Sequence, residues 1–291
     1  MPKYDVKELE KIAYELRQDV ITMLTEAGSG HTAGALGTAE IFSVLYFNTL
    51  DITPKNFKDK DRDVFILSGG HICPIWYATL SRAGFFPKKE LWNLRKTGAL
   101  LQGHPNFEDR NNKPYGLENI PGVENASGSL GQGLSIAIGK AIALKLDNIN
   151  NRVYCLTGDG ELNEGQIWEA AMFAPHYGIS NMTWIIDANG IQLDGNTKDI
   201  LNMLDLKAKL ESFGWYVLEI DGHNVEEIIN SCQMAKAVVQ RPTVIIAHTI
   251  PGKGVDFMEY KFEWHGKPPS EKEAQKALKE LRTLEGKIKN D

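Results

Sequence analysis

Cysteine is scarce in this chain: Cys73, Cys155 and Cys232 are the three in 291 residues. They are odd in number, far apart and outside any metal-ligand spacing, which excludes a disulfide framework and a cysteine-based zinc site. Two lie in apolar surroundings, so buried thiols in a reducing compartment are expected. Long apolar runs are lacking as well. No stretch approaches the ~18 residues of a membrane span. Met1–Gln18 is rich in Lys, Glu and Asp and has no apolar signal core, so a cytoplasmic protein without membrane association is expected. Positive charge is in deficit, with 32 Lys and Arg against 38 Asp and Glu for a formal charge of −6. With no basic block, nucleic acid is a poor partner. No Gly-x-Gly-x-x-Gly follows an early strand and no Gly-Lys-Ser/Thr closes a Walker loop, so two common nucleotide-binding signatures are missing.

What is present is an alternation of strands and helices. Residues 5–27 carry Ile12, Leu16, Val20, Ile21 and Leu24 at helical spacing and stop at Gly28 and Gly30. A second helix is expected over Thr38–Leu50, a buried strand over Val64–Leu67, and helices over His71–Ala83 and Lys88–Lys96. Gly98–Gly128 is irregular, glycine- and proline-punctuated, and reads as a packed binding loop. The turn Gly128–Gly133 leads into an apolar helix reaching about Leu146. From Arg152 the pattern is regular: strands at Arg152–Thr157, Met182–Asp187, Trp215–Ile220 and Thr243–His248, separated by helices at Gly165–Tyr177, Leu204–Phe213 and Val225–Val239. A last helix is expected over Ser270–Lys287. This order predicts an α/β fold with a mainly parallel central sheet and helices on both faces. With no repeat and no linker, residues 1–291 are expected to form one domain.

The most informative stretch is Gly158–Asn189. Gly158-Asp159-Gly160 follows one apolar strand, and Asp187-Ala188-Asn189 follows the next. Ligands bind at the carboxyl ends of neighbouring parallel strands in open α/β sheets. A carboxylate from Asp159, a side-chain carbonyl from Asn189 and the backbone carbonyl of Ile191 make a three-point face for magnesium or calcium, with phosphate oxygens and water completing the shell. The Gly160 amide is placed to donate to a phosphate oxygen. Taken alone, Gly-Asp-Gly is ordinary turn chemistry. Its pairing with Asn189 across a strand–helix–strand unit favours a magnesium diphosphate site.

Gly158-Asp159-Gly160-Glu161-Leu162-Asn163-Glu164-Gly165, closed by Asn189, resembles the thiamine diphosphate signature in its transketolase version. Gly28-Ser29-Gly30-His31, Leu67-Ser68-Gly69-Gly70-His71, Gly103-His104-Pro105, Gly128-Ser129-Leu130-Gly131-Gln132-Gly133 and Trp264-His265-Gly266-Lys267-Pro268 resemble the same family, in order, over nearly the whole chain. The resemblance implies a thiamine-diphosphate-binding fold. It implies that His31, His104 and His265 contact substrate oxygens, that His71 lies beside the cofactor diphosphate, and that His265 touches both. Histidines near neutral pKa suit proton movement on hydroxyl and carbonyl oxygens; a lone histidine is more often structural than catalytic, but four in glycine-flanked turns that can converge on one cleft favour the functional reading. His176, His223 and His248 are expected to be structural. Gly128 and Leu130 would meet the cofactor's aminopyrimidine. Glu164, and less directly Glu169, would join a carboxylate network across a subunit interface, whereas the plain alternative is a solvated helix face.

In the resembled family a glutamate that activates the cofactor sits in a separate pyrimidine-binding domain, followed by a C-terminal domain. Both are absent from this chain. The resemblance therefore implies the N-terminal subunit of a split transketolase, active with sugar phosphates only alongside a C-terminal partner subunit in an α2β2 complex. Met1 and the closing helix favour a natural subunit over a truncated enzyme. The competing expectations are a deoxyxylulose-phosphate-synthase-like enzyme and a non-catalytic assembly subunit.

Overall fold

The computed structural model describes residues 4–107 and 119–290; part of the expected binding loop, residues 108–118, lies outside them. Helix α1 (Val6–Ala27) starts in a capping box. The Glu8 amide donates to Asp5 Oδ1 at 2.8 Å and the Asp5 amide to Glu8 Oε2 at 2.9 Å. It ends at Gly28, whose φ of 61° requires the left-handed region. Its apolar stripe, Leu9, Ile12, Leu16, Val20, Ile21 and Leu24, is buried.

Five strands, β1 (Val64–Leu67), β2 (Val153–Gly158), β3 (Met182–Ala188), β6 (Tyr216–Asp221) and β7 (Thr243–His248), pair in the order β1-β2-β3-β7-β6, every pair parallel. The expected sheet is observed. Strands β1, β2, β3 and β7 are almost wholly buried because both their faces are covered, whereas the edge strand β6 is only part-buried. One face packs Phe65, Leu67, Tyr154, Leu156, Ile185 and Ile245. Its cover includes α1, α3 (Ala39–Val44), α4 (Cys73–Arg82), α9 (Val225–Ala237) and α10 (Glu271–Asn290). The other packs Ile66, Val153, Cys155, Trp184, Ile186 and Ile246 against α5 (Gln132–Leu146), α6 (Gly165–His176) and α8 (Leu206–Phe213). The three thiols are free and buried.

The chain steps from β1 through β2 to β3, jumps to the edge strand β6, and returns to β7 between them. Reversing the direction of travel moves the crossover helix to the opposite face, from α6 to α9.

Departures from the sequence reading are local. The expected Thr38–Leu50 helix is preceded by a separate turn, α2 (Ala33–Gly37), and closes as a π-helical Leu45–Thr49. Lys88–Lys96 contains only a 3-10 segment, Lys88–Asn93. Helix α8 starts two residues late because Leu204 adopts φ 52° and the Asp205 carboxylate caps the Ala208 amide at 2.9 Å. A small hairpin, β4 (Ile191–Gln192) with β5 (Gly195–Asn196), precedes the short α7 (Thr197–Ile200). Among the described residues no helix is long and apolar enough to cross a membrane.

Candidate functional site

The register of β2 on β3 pairs Gly158 with Asp187, which brings the next residues, Asp159 and Ala188-Asn189, to adjacent strand tips. The Asp159 amide donates to Asp187 O at 3.0 Å. Asp159 Oδ2 accepts from the Gly190 amide at 2.9 Å and from Thr197 Oγ1 at 3.3 Å, and Oδ1 accepts from the Gly160 amide at 2.9 Å. Asp159 and Asn189 are thus neighbours, as expected. Asn189 Nδ2 donates to Asp187 Oδ2 at 2.7 Å, while its Oδ1 accepts from the Ile191 amide at 3.0 Å. That orientation turns the amide oxygen, not the nitrogen, toward the Ile191 turn.

These tips floor a cleft of about 490 Å³ whose lining includes His31, His71, His104, Gly128, Leu130, Asp159, Gly160, Asn189, Ile191 and His265. Of the site residues expected from sequence, Glu164 does not line it. It lies exposed at the start of α6, opposite Gly131, where an added Cβ would fall 2.7 Å from Glu164 Cβ. Glu169 is exposed on the same helix.

Three histidines from three loops form a triangle. Ring centroids of His31 and His71 are 5.1 Å apart, His71 and His265 5.1 Å, and His31 and His265 5.6 Å. The His31 and His265 segments are strapped together by Thr32 Oγ1 donating to Lys267 O at 2.6 Å, and the Gly252 amide ties the His31 segment to the chain after β7 by donating to Ala33 O at 2.9 Å. His104 stands exposed near Gly128, where a methyl group would touch its ring at 3.5 Å. Burial, then the neighbouring His265, Arg95 and His104, pushes His31 down to about 4. Burial, then His265, His31 and His104, pushes His71 to about 3. Burial also lowers His265, and burial with Arg95 lowers His104. All four rings are therefore neutral at pH 7, each with one donor and one acceptor nitrogen. Among the described residues His31 Nδ1 is buried without a hydrogen-bond partner.

Two carboxylates not singled out from sequence share the floor. Asp187 accepts from Thr249 Oγ1 as well as Asn189; burial drives it up to about 7, and Asp159 adds to the rise. Asp159 itself is raised to about 6 by burial, against the pull of its amide donors. Glu161 is buried and accepts from Ser68 Oγ, from the Gly131 amide at 2.8 Å and from the Gly158 amide at 3.2 Å. One glutamate thereby joins the exits of β1 and β2 to the entrance of α5. No local pattern marks it, because Ser68 is 93 residues away.

Among the described residues no three His, Cys, Asp or Glu side chains gather as a metal centre. That suits the donor set here, which offers one carboxylate and two carbonyl oxygens. Asp159 Oδ1 and Asn189 Oδ1 each accept one of the hydrogen bonds described and so each keep a lone pair that a hard cation with mostly phosphate and water ligands could take.

A parallel α/β domain with oxygen donors on adjoining strand tips, glycine turns and a neutral histidine cluster defines a cofactor-binding domain of an enzyme. The profile described as "Transketolase, thiamine diphosphate binding domain" matches residues 9–285. A subunit of the apulose-4-phosphate transketolase of Phocaeicola vulgatus is 34% identical over 276 residues, spanning 95% of this chain and 94% of that protein. Transketolase of Homo sapiens is 38% identical over 278 residues, spanning 95% of this chain but 42% of that protein. The crystal structure of transketolase from Campylobacter jejuni superposes with a TM-score of 0.87 at 33% identity, covering 96% of this chain and 43% of that one. The chain belongs to the transketolase family of transferases and corresponds to its N-terminal, thiamine diphosphate binding part. It spans less than half of the longer transketolases and nearly all of the Phocaeicola relative.

Proposed function

We propose that this chain is the diphosphate-binding subunit of a two-chain transketolase. It would move a two-carbon ketol unit from a ketose phosphate to an aldose phosphate in the cytoplasm. The observation that carries this reading is the adjacency of Asp159 and Asn189 beneath a triangle of neutral histidines. On this reading residues 1–291 supply one domain, and a partner subunit supplies the pyrimidine-binding and C-terminal domains in an α2β2 complex. The near-complete coverage of the Phocaeicola protein, itself named as one subunit of a transketolase, supports it.

The residues fit the cofactor. Asp159, Asn189 and the Ile191 carbonyl would hold magnesium or calcium, His71 and the Gly160 backbone would face the diphosphate, and Gly128 and Leu130 would meet the aminopyrimidine. When bound, thiamine diphosphate supplies a thiazolium carbon that acts as nucleophile and electron sink. The chain's own work is positioning and proton traffic. His31 and His265, whose burial favours the neutral ring, together with the more exposed His104, would accept and return protons at substrate hydroxyl and carbonyl oxygens. The orphaned His31 Nδ1 gives that ring an unused hydrogen-bonding position. Exposed Glu164 would contribute to the subunit interface.

Mixing the chain with a partner that carries a pyrimidine-binding domain, and assaying ketol transfer between sugar phosphates, tests the reading. Transfer only in the mixture is expected. Activity only with pyruvate as donor would favour a synthase, and none with any partner would favour an assembly role.

A further inference from the structure

Beneath the segment that follows β7 lies a buried ionic network with no part in the mechanism above. Arg17 on α1 forks onto Glu40 on α3, with Nη1 to Oε1 at 2.6 Å and Nη2 to Oε2 at 2.5 Å; the two residues are 4% and 8% exposed. Glu40 Oε2 also lies 3.0 Å from His223 Nδ1, in the turn between β6 and α9. The other ring nitrogen, Nε2, is 2.7 Å from the Ile250 amide. A backbone N–H only donates, so Nε2 carries the lone pair, and Nδ1 carries the proton it gives to Glu40. One tautomer satisfies both partners.

The backbone that carries the ring's partner Ile250 is closely packed. A Cβ on Gly222 would sit 2.5 Å from Thr249 Cγ2 and 2.9 Å from His248 O, and one on Gly37 3.0 Å from Ile250 O. Ile250 in turn follows Thr249, whose hydroxyl donates to Asp187 Oδ1 while Asn189 Nδ2 donates to Asp187 Oδ2. The path from Arg17 to the Asn189 amide is therefore continuous through hydrogen bonds and one peptide link.

We propose that His223 and Glu40 are positioning residues for the cation site: they fix Ile250, and through Thr249 and Asp187 they set the rotamer that presents Asn189 Oδ1. Groups behind a metal ligand orient it in this way and are valued by the affinity lost without them. The inference rests on the reading of Asn189 as a cation ligand.

Two isosteric variants separate positioning from mere packing. His223→Asn places an amide near Nδ1 and loses the acceptor for Ile250; His223→Gln places an amide oxygen near Nε2 and keeps it. Magnesium is titrated at fixed thiamine diphosphate on the complex with its partner subunit, followed by calorimetry, with melting temperatures measured alongside. His223→Asn should raise the half-saturating magnesium about tenfold or more, and His223→Gln should restore most of it. Equal losses in both variants, or unchanged magnesium dependence in His223→Asn, overturn the positioning role. A wild-type complex that binds thiamine diphosphate without regard to magnesium refutes the cofactor reading instead. Independently, long-range proton–nitrogen NMR on the chain alone should show His223 protonated at Nδ1 only; the opposite tautomer at neutral pH also overturns the proposal.

Discussion

Replacing Glu40 by Gln tests whether the Arg17 network holds the histidine-bearing face of the domain. Burial alone would raise the Glu40 pKa, but the Arg17 charge and the hydrogen bonds from His223 and Arg17 outweigh it and hold the carboxyl at about 2, against an ordinary 4.5. At about 1.4 kcal/mol per pKa unit, this difference corresponds to a contribution on the order of 3 kcal/mol. The same figure follows from breaking a buried ion pair on one side, which costs roughly 3–5 kcal/mol because the remaining charge is stranded. The sign is that of a depressed carboxylate. Its contribution is complete above pH 4.5, where the unfolded chain is also ionised, and is lost as pH falls through about 2. Glu40→Gln should therefore lower stability at pH 7 by about 3 kcal/mol, or roughly 6–12 °C in melting temperature for a domain of this size. Urea unfolding at several pH values measures it: the wild type should lose more stability than the variant between pH 4.5 and 2. A loss under about 1 kcal/mol at pH 7, or parallel pH profiles, would refute the reasoning.

Other consequences are as direct. Glu161→Gln leaves three donors facing a weaker acceptor and should cost about 1–3 kcal/mol, read by urea unfolding; a neutral effect would remove Glu161 as the link between β1, β2 and α5. Gly133→Ala would bring a methyl within 2.4 Å of Ser68 Cβ and 2.7 Å of its Cα, so a loss of roughly 1–3 kcal/mol is expected in the same assay. His31 and His71, held at about 4 and about 3, should show no titration of their ring carbon protons by NMR between pH 7.5 and 5.5, values chosen to bracket roughly the free-histidine pKa. Because the unfolded chain takes up these protons first, both histidines subtract stability as pH falls below 6.5, a trend that His71→Asn should weaken. His104→Ala, at an exposed ring, should leave thiamine diphosphate affinity intact yet slow turnover; if it unfolds the protein instead, the residue is structural.

The pattern of β1, β2, β3 and β7 was legible because strands covered on both faces need apolar runs, as at Val64–Leu67 and Trp184–Ile186. The neighbourhood of Asp159 and Asn189 was legible for a related reason, since both follow strands joined by a single crossover. Asp187 and Glu161 were not. Each is an acid beside a motif, and what makes it important is a partner far along the chain, Thr249 for one and Ser68 for the other. The surroundings of His223 are likewise not legible, because one sequence does not reveal that its ring meets Glu40 and the Ile250 amide together. The expected Thr38–Leu50 helix failed in detail because helical spacing does not distinguish an α-helix from one whose last turn widens into π geometry. The late start of α8 reflects a local choice, the Asp205 cap, over a continued apolar period.

The central claim is that the tips of β2 and β3 hold a divalent cation against a diphosphate. Calorimetry of thiamine diphosphate binding to the complex, with and without magnesium, tests it in wild type, Asp159→Ala and Asn189→Ala. Magnesium-dependent binding in the wild type that vanishes in both variants is the predicted result. Equal affinity in all three proteins would contradict the account.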